Sequence, residues 1–152
     1  MNHLVKLFDP RSVLFAKHAQ HVVLVHFPIA LFLIAVVLDV ASHWTRNDSL
    51  AATARINMIA AGILAIPTVI TGLVAWQWQL EGQRLKGPLL FHLLFGSLSA
   101  LLICIVASIN FRQRKSVAPA PVYYVTLEFL TAAVVAATAH LGGFLSGVNS
   151  LS

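Results

Sequence analysis

Charged residues are scarce in this chain: five acidic and ten basic side chains among 152 residues, 10% of the whole. A soluble domain of this size carries about 25% charged residues to hold its surface in water, so a water-soluble globule is excluded. Cysteine is scarcer still. The single Cys104, in the middle of an apolar run, excludes an internal disulfide and a Cys-x-x-Cys-His site for covalent haem. It reads as a small packing residue. A recognisable cleavable leader is also missing. The first long apolar run has no small-residue cleavage site after it and is long enough to span, so it is expected to stay in the mature protein.

What the chain has instead is apolar bulk, at 59% hydrophobic residues and a mean hydropathy of +0.84. The natural solvent for most of it is lipid. The net charge of +5 and the pI near 10 come from basic residues set in short caps between apolar runs. Such caps suit lipid headgroups rather than a nucleic-acid groove, and no nucleic-acid partner is expected.

Residues 1–20 mix Leu4, Leu7, Phe8, Val13, Leu14 and Phe15 with Lys6, Arg11 and Lys17, the pattern of an N-terminal segment lying along the membrane interface. A four-span domain over residues 21–148 follows. Its apolar stretches cover 22–41, 56–78, 88–111 and 122–145, each able to cross a hydrocarbon core that needs about 20 helical residues. Pro88 and Pro121 suit the first turns of the last two spans, where a missing N–H is no loss. Short polar links force an up-down-up-down order. The expected fold is all-α, an integral membrane antiparallel four-helix bundle.

Call the face that holds the N-terminus side A and the opposite face side B. Each side has five Lys and Arg residues, so the positive-inside rule is a tie by count. The dense Arg112–Lys115 cluster tips side B towards the cytoplasm. Trp76 and Trp78 on side A and Trp44 on side B fit an aromatic belt. Gly62, Gly72, Gly96 and Ser99 permit close helix approach, and Pro67 is expected to kink the second span.

Seven histidines are many for so apolar a chain, and their placement matters more. His26 and His92 lie four residues inside the first and third spans, and His140 lies five residues before the end of the fourth. At 1.5 Å per residue all three stand roughly 6–8 Å below side A, with His21 and His18 just above. One intramembrane histidine is commonly an interhelical hydrogen bond. Three at matched depth point to function, because polar groups inside a membrane are costly. Zinc favours compact sets with thiolate or carboxylate help, whereas Asp39 and Glu128 lie towards side B. Two imidazoles facing each other across a bundle match the axial ligation of b-type haem. Diagonal helices roughly 11–14 Å apart leave room for such a unit, and the first and third spans are diagonal in an up-down bundle. His26 and His92 are therefore the first-choice pair, with His140 beside them or pairing with His21 around a second haem. Arg84 and Lys86 on side A would meet the propionates. A metal ion held by His26, His92 and His140 is the alternative use of the same layer.

Asp39 and His43, four residues apart near side B, are within reach of Arg55. An ion pair tying two helices is the plain reading and a proton path the sharper one. The same choice applies to Glu128.

The string His21-Val-Val-Leu-Val-His26-Phe-Pro-Ile-Ala-Leu, followed by Asp39, resembles the opening helix of a bacterial group of small four-helix membrane proteins, domain of unknown function 2231. Thr71-Gly72-Leu73, His92 and His140-Leu-Gly142-Gly143 agree with it, so the resemblance covers all four spans. Val22 stands where the family often has proline, which weakens a ligand role for His21, and Val74-Ala75-Trp76 replaces a frequent aspartate after the second-helix glycine. Members occur joined to, or encoded beside, c-type cytochromes and other redox proteins. The resemblance therefore implies electron transfer, and fusions after the fourth helix imply a periplasmic side A.

The function expected is a membrane b-type haem electron-transfer subunit, carrying one haem b or two. It would pass electrons between the quinone pool and a c-type cytochrome or other redox partner on the N-terminal face, within a larger complex or homo-oligomer in the bacterial inner membrane. Two rivals use the same residues: a haem-free anchor subunit, and a metal-handling membrane protein. Nothing resembles a complete substrate-turnover site.

Overall fold

The computed structural model describes residues 17–79, 84–112 and 121–145. The expected interfacial segment up to residue 16, with Lys6 and Arg11, lies outside the described residues. So do Arg114, Lys115 and residues 146–148, and the side chains of Lys17, His18 and Trp78.

Four helices are present: α1 Lys17–Thr45, α2 Asp48–Gln79, α3 Gly87–Arg112 and α4 Val122–Leu145. Each is long and apolar enough to cross a membrane. The first two run well into the polar link expected between His43 and Arg55, leaving Arg46 and Asn47 as the turn. Local chemistry accounts for this. Arg46 adopts a left-handed φ of 52°, which ends α1. The Asn47 side chain then accepts the Ser49 N–H at 2.9 Å and caps α2. The carbonyl of Pro121 plays the matching part for α4, accepting the Tyr124 N–H at 2.9 Å. Pro28 and Pro67 sit inside continuous helices, as membrane helices tolerate.

The helices pack in ring order, with α4 closing onto α1, so α1 and α3 stand diagonally. Each turns one stripe inward. On α1 this stripe is Pro28, Phe32, Ala35, Val36, Asp39 and Ser42, and on α4 it is Tyr124, Glu128, Thr131, Val135 and Thr138. The outer faces carry Val37, Ile56, Ile63, Leu101 and Leu130, all more than half exposed. Apolar side chains on the outside of a four-span bundle are lipid contacts. Between helices lipid offers no hydrophobic drive, so close packing of small residues must hold them. At the α2–α3 contact a Cβ on Gly62 would lie 2.7 Å from the Ala107 Cβ, and Cys104 Sγ reaches the Gly62 carbonyl at 3.7 Å. Cys104 is thus a packing residue.

The bundle is also two copies of one hairpin. His92 and Asn110 follow His21 and Asp39 by 71 positions, and Thr138 and Gly142 follow Thr68 and Gly72 by 70. The inward stripes of α1–α2 and α3–α4 therefore coincide. Both hairpins run in the same direction, the arrangement of parallel repeats about an axis along the membrane normal.

Candidate functional site

Near side A, each hairpin seats one histidine of its first helix against its second helix. His21, half-buried on α1, donates from Nδ1 to the Thr68 carbonyl on α2 at 3.2 Å. The Thr71 hydroxyl stands 3.3 Å from the same nitrogen. That hydroxyl gives its own proton to the Thr68 carbonyl at 2.9 Å, so towards His21 it is an acceptor. The ring lies against Gly72, where an added Cβ would come within 2.9 Å of His21 Cε1.

His92 repeats the arrangement on the other hairpin. Its Nδ1 donates to the Thr138 carbonyl on α4 at 3.3 Å, and its ring lies against Gly142, where a Cβ would sit 3.1 Å from Cε1. Both threonines return their hydroxyl protons to the preceding turn, Thr68 to Leu64 and Thr138 to Val134. On the second hairpin the Ser99 hydroxyl, 2.8 Å away, donates to Thr138 Oγ1.

The partners decide the tautomer. A backbone carbonyl can only accept, so Nδ1 carries the proton in the neutral rings and Nε2 is the basic nitrogen. An imidazole whose Nδ1–H is tied to a backbone carbonyl is oriented as metal-ligating histidines usually are.

His26 and His140 are placed differently. His26 is exposed on the outer side of α1, and its Nδ1 donates to the Val22 carbonyl of its own helix at 2.6 Å. His140 is exposed on α4, its ring edge-on to Phe144 with centroids 4.9 Å apart. The reason is helical geometry. At roughly 100° per residue, positions five apart on a helix differ by ~140° in facing. His21 shares the inward stripe of α1, which turns His26 outward. On α4, Thr138 and Gly142 face α3, and His140 between them points away. Among the described residues no three His, Cys, Asp or Glu side chains gather to hold a metal ion, so His26, His92 and His140 do not form a common centre. Depth ranks His26 first as the partner of His92; facing ranks His21 first. Arg84 and Lys86 are exposed in the link between α2 and α3, at the same end of the bundle as the seated imidazoles.

Sequence reasoning missed the seats themselves. Thr71, Gly72, Thr138 and Gly142 were visible there only as packing residues or family markers, and Thr68 was not singled out. The usable signal was the Thr-x-x-x-Gly spacing, which recurs once in each hairpin.

Residues 17–150 match the family described as Predicted membrane protein (DUF2231). No curated protein and no solved structure matches the chain.

Proposed function

From the premise that this chain belongs to the DUF2231 family of predicted membrane proteins, we propose that it is a b-type haem electron-transfer subunit in which His21 and His92 would hold the haem. One observation carries the reading: two equivalent imidazoles on diagonal helices, each with Nδ1–H tied to a carbonyl of the neighbouring helix. The donor set fits the group. Two neutral imidazoles, each with its Nδ1 proton engaged by a carbonyl, are a donor set that would hold a b haem. When bound, the haem supplies a one-electron couple.

The chain's own residues do the rest. The threonine carbonyls hold the rings in one tautomer and raise the basicity of Nε2. The glycines keep the rings close to α2 and α4. Arg84 and Lys86 offer positive charge at the face towards which propionates would point. The lipid-facing exterior keeps bulk water from the sides of the site.

In this reading electrons pass between the quinone pool and a c-type cytochrome or similar partner on side A, in a larger complex or homo-oligomer of the bacterial inner membrane. Side A is then periplasmic, with both termini there. Proteoliposomes test the route and its sidedness together. A quinol analogue should reduce the bound haem, and an added c-type cytochrome should reoxidise it only from the face that holds the termini. A haem that quinol leaves oxidised removes the quinone from the scheme. Reoxidation confined to the opposite face reverses the orientation.

A further inference from the structure

The interior near side B holds a polar cluster that electron transfer at side A does not use. Glu128 on α4 is fully buried, Tyr124 one turn before it is 1% exposed, and Asp39 on α1 is 8% exposed. The two carboxyl groups face each other, with the Tyr124 hydroxyl beside Glu128. From α3, Asn110 donates its Nδ2–H to the Tyr124 hydroxyl at 2.8 Å. His43 on α1 and Arg55 on α2 stand within electrostatic reach of Asp39. All four helices contribute.

Four acceptor atoms of this cluster have no hydrogen-bond partner: both carboxyl oxygens of Glu128, Oδ2 of Asp39 and Oδ1 of Asn110. The carboxyls approach each other and Tyr124 without any of these contacts reaching hydrogen-bond geometry. An orphaned buried acceptor costs about 1–3 kcal/mol, and more when charged. Two ionised carboxylates side by side inside a membrane cost more again. What the cluster lacks is donors.

One proton supplies the donor that the two carboxyl groups need. Asn110 already donates to the Tyr124 oxygen, which directs the tyrosine's own proton onwards to Glu128. A proton on Glu128 can then be given to Asp39, whose remaining charge faces His43 and Arg55. A single added proton thus draws three of the four orphans, both Glu128 oxygens and Asp39 Oδ2, into a directed chain from α3 through α4 to α1 and removes the repulsion between the carboxyls. We propose that Glu128 and Asp39 form an intramembrane proton-binding site, sharing one exchangeable proton, with Tyr124 as its donor support and side B as its aqueous face. No oxidant or reductant is involved, and the site does not depend on haem.

Infrared difference spectroscopy of the purified full chain in nanodiscs, recorded as the pH is changed, tests this. The expected result is a carbonyl band of a water-free carboxylic acid that vanishes as the medium is made alkaline and returns on acidification. Glu128→Gln should remove the band. Tyr124→Phe, which takes away only one hydroxyl, should keep it at a shifted frequency, as should Asp39→Asn. Should Glu128→Gln fail to fold, the Tyr124→Phe shift decides alone. Identical wild-type and Tyr124→Phe bands, a band that ignores pH wherever the protein stays folded, or no acid band at all would overturn the proposal. So would a band that disappears on adding sodium at constant pH, which would make the site one for a cation.

Discussion

Purified His21→Ala and His92→Ala proteins are each expected to lose the low-spin haem spectrum, retaining no haem or a high-spin, five-coordinate iron. Either imidazole alone can supply only one axial bond. His26→Ala and His140→Ala should keep the wild-type spectrum, because both rings lie on the outer surface of the bundle. The contrast between His21 and His26 is the sharp part, since the two lie on the same helix about 7.5 Å apart in depth and differ by ~140° in facing. Loss of the low-spin form in His26→Ala, with His21→Ala unaffected, would return the ligand role to the pair that depth alone suggests. Partial loss in both His21→Ala and His140→Ala would mean two haems.

The glycine seats should be nearly as sensitive. A Cβ at Gly72 would meet His21 Cε1 at 2.9 Å, and one at Gly142 would meet His92 Cε1 at 3.1 Å. Valine at either position must push the ring off its helix and stretch the bond from Nδ1 to the threonine carbonyl. Overpacking of this kind costs about 1–3 kcal/mol of stability. Disturbing the outer partner of a ligating histidine costs roughly tenfold to a hundredfold in affinity. Haem titration of the refolded protein and thermal unfolding read the two effects separately. With alanine the effect should be smaller, and larger at Gly72 than at Gly142, following the two distances. Valine variants that bind haem as the wild type does would mean that the rings are not held where the ligand forms.

Much of the fold was legible before any coordinates. Four apolar stretches of spanning length and short links dictate an up-down bundle, and the helices match the expected spans closely at α3 and α4. The differences lie at the start of α1, which takes in residues 17–20 of the expected interfacial segment, and at the α1–α2 turn. Hydropathy ends a span where charge begins, whereas the helix ends where backbone groups find caps, here at Arg46 and Asn47.

The site was legible in depth but not in facing. Rise per residue places His26, His92 and His140 in one layer. The turn of about 100° per residue, applied to the stripe of Pro28, Phe32 and Ala35, turns His21 inward and His26 outward. The hairpin repeat stayed hidden because its two copies share few identities, chiefly a histidine and a Thr-x-x-x-Gly step. Glu128 was visible as a lone acid in an apolar helix. Its meeting with Asp39 and Tyr124 depends on how α1 packs against α4, which no local pattern records.

The most direct measurement is the reduced-minus-oxidised absorption spectrum of the purified wild-type protein, with haem identified by extraction into pyridine. The expected result is a sharp Soret band that shifts on dithionite reduction, the narrow bands of a low-spin b haem, and a non-covalent haem that extracts into acidified solvent. A protein expressed in haem-replete cells that shows no Soret band and takes up no added haem would contradict the reading. The seated imidazoles would then be interhelical fastenings.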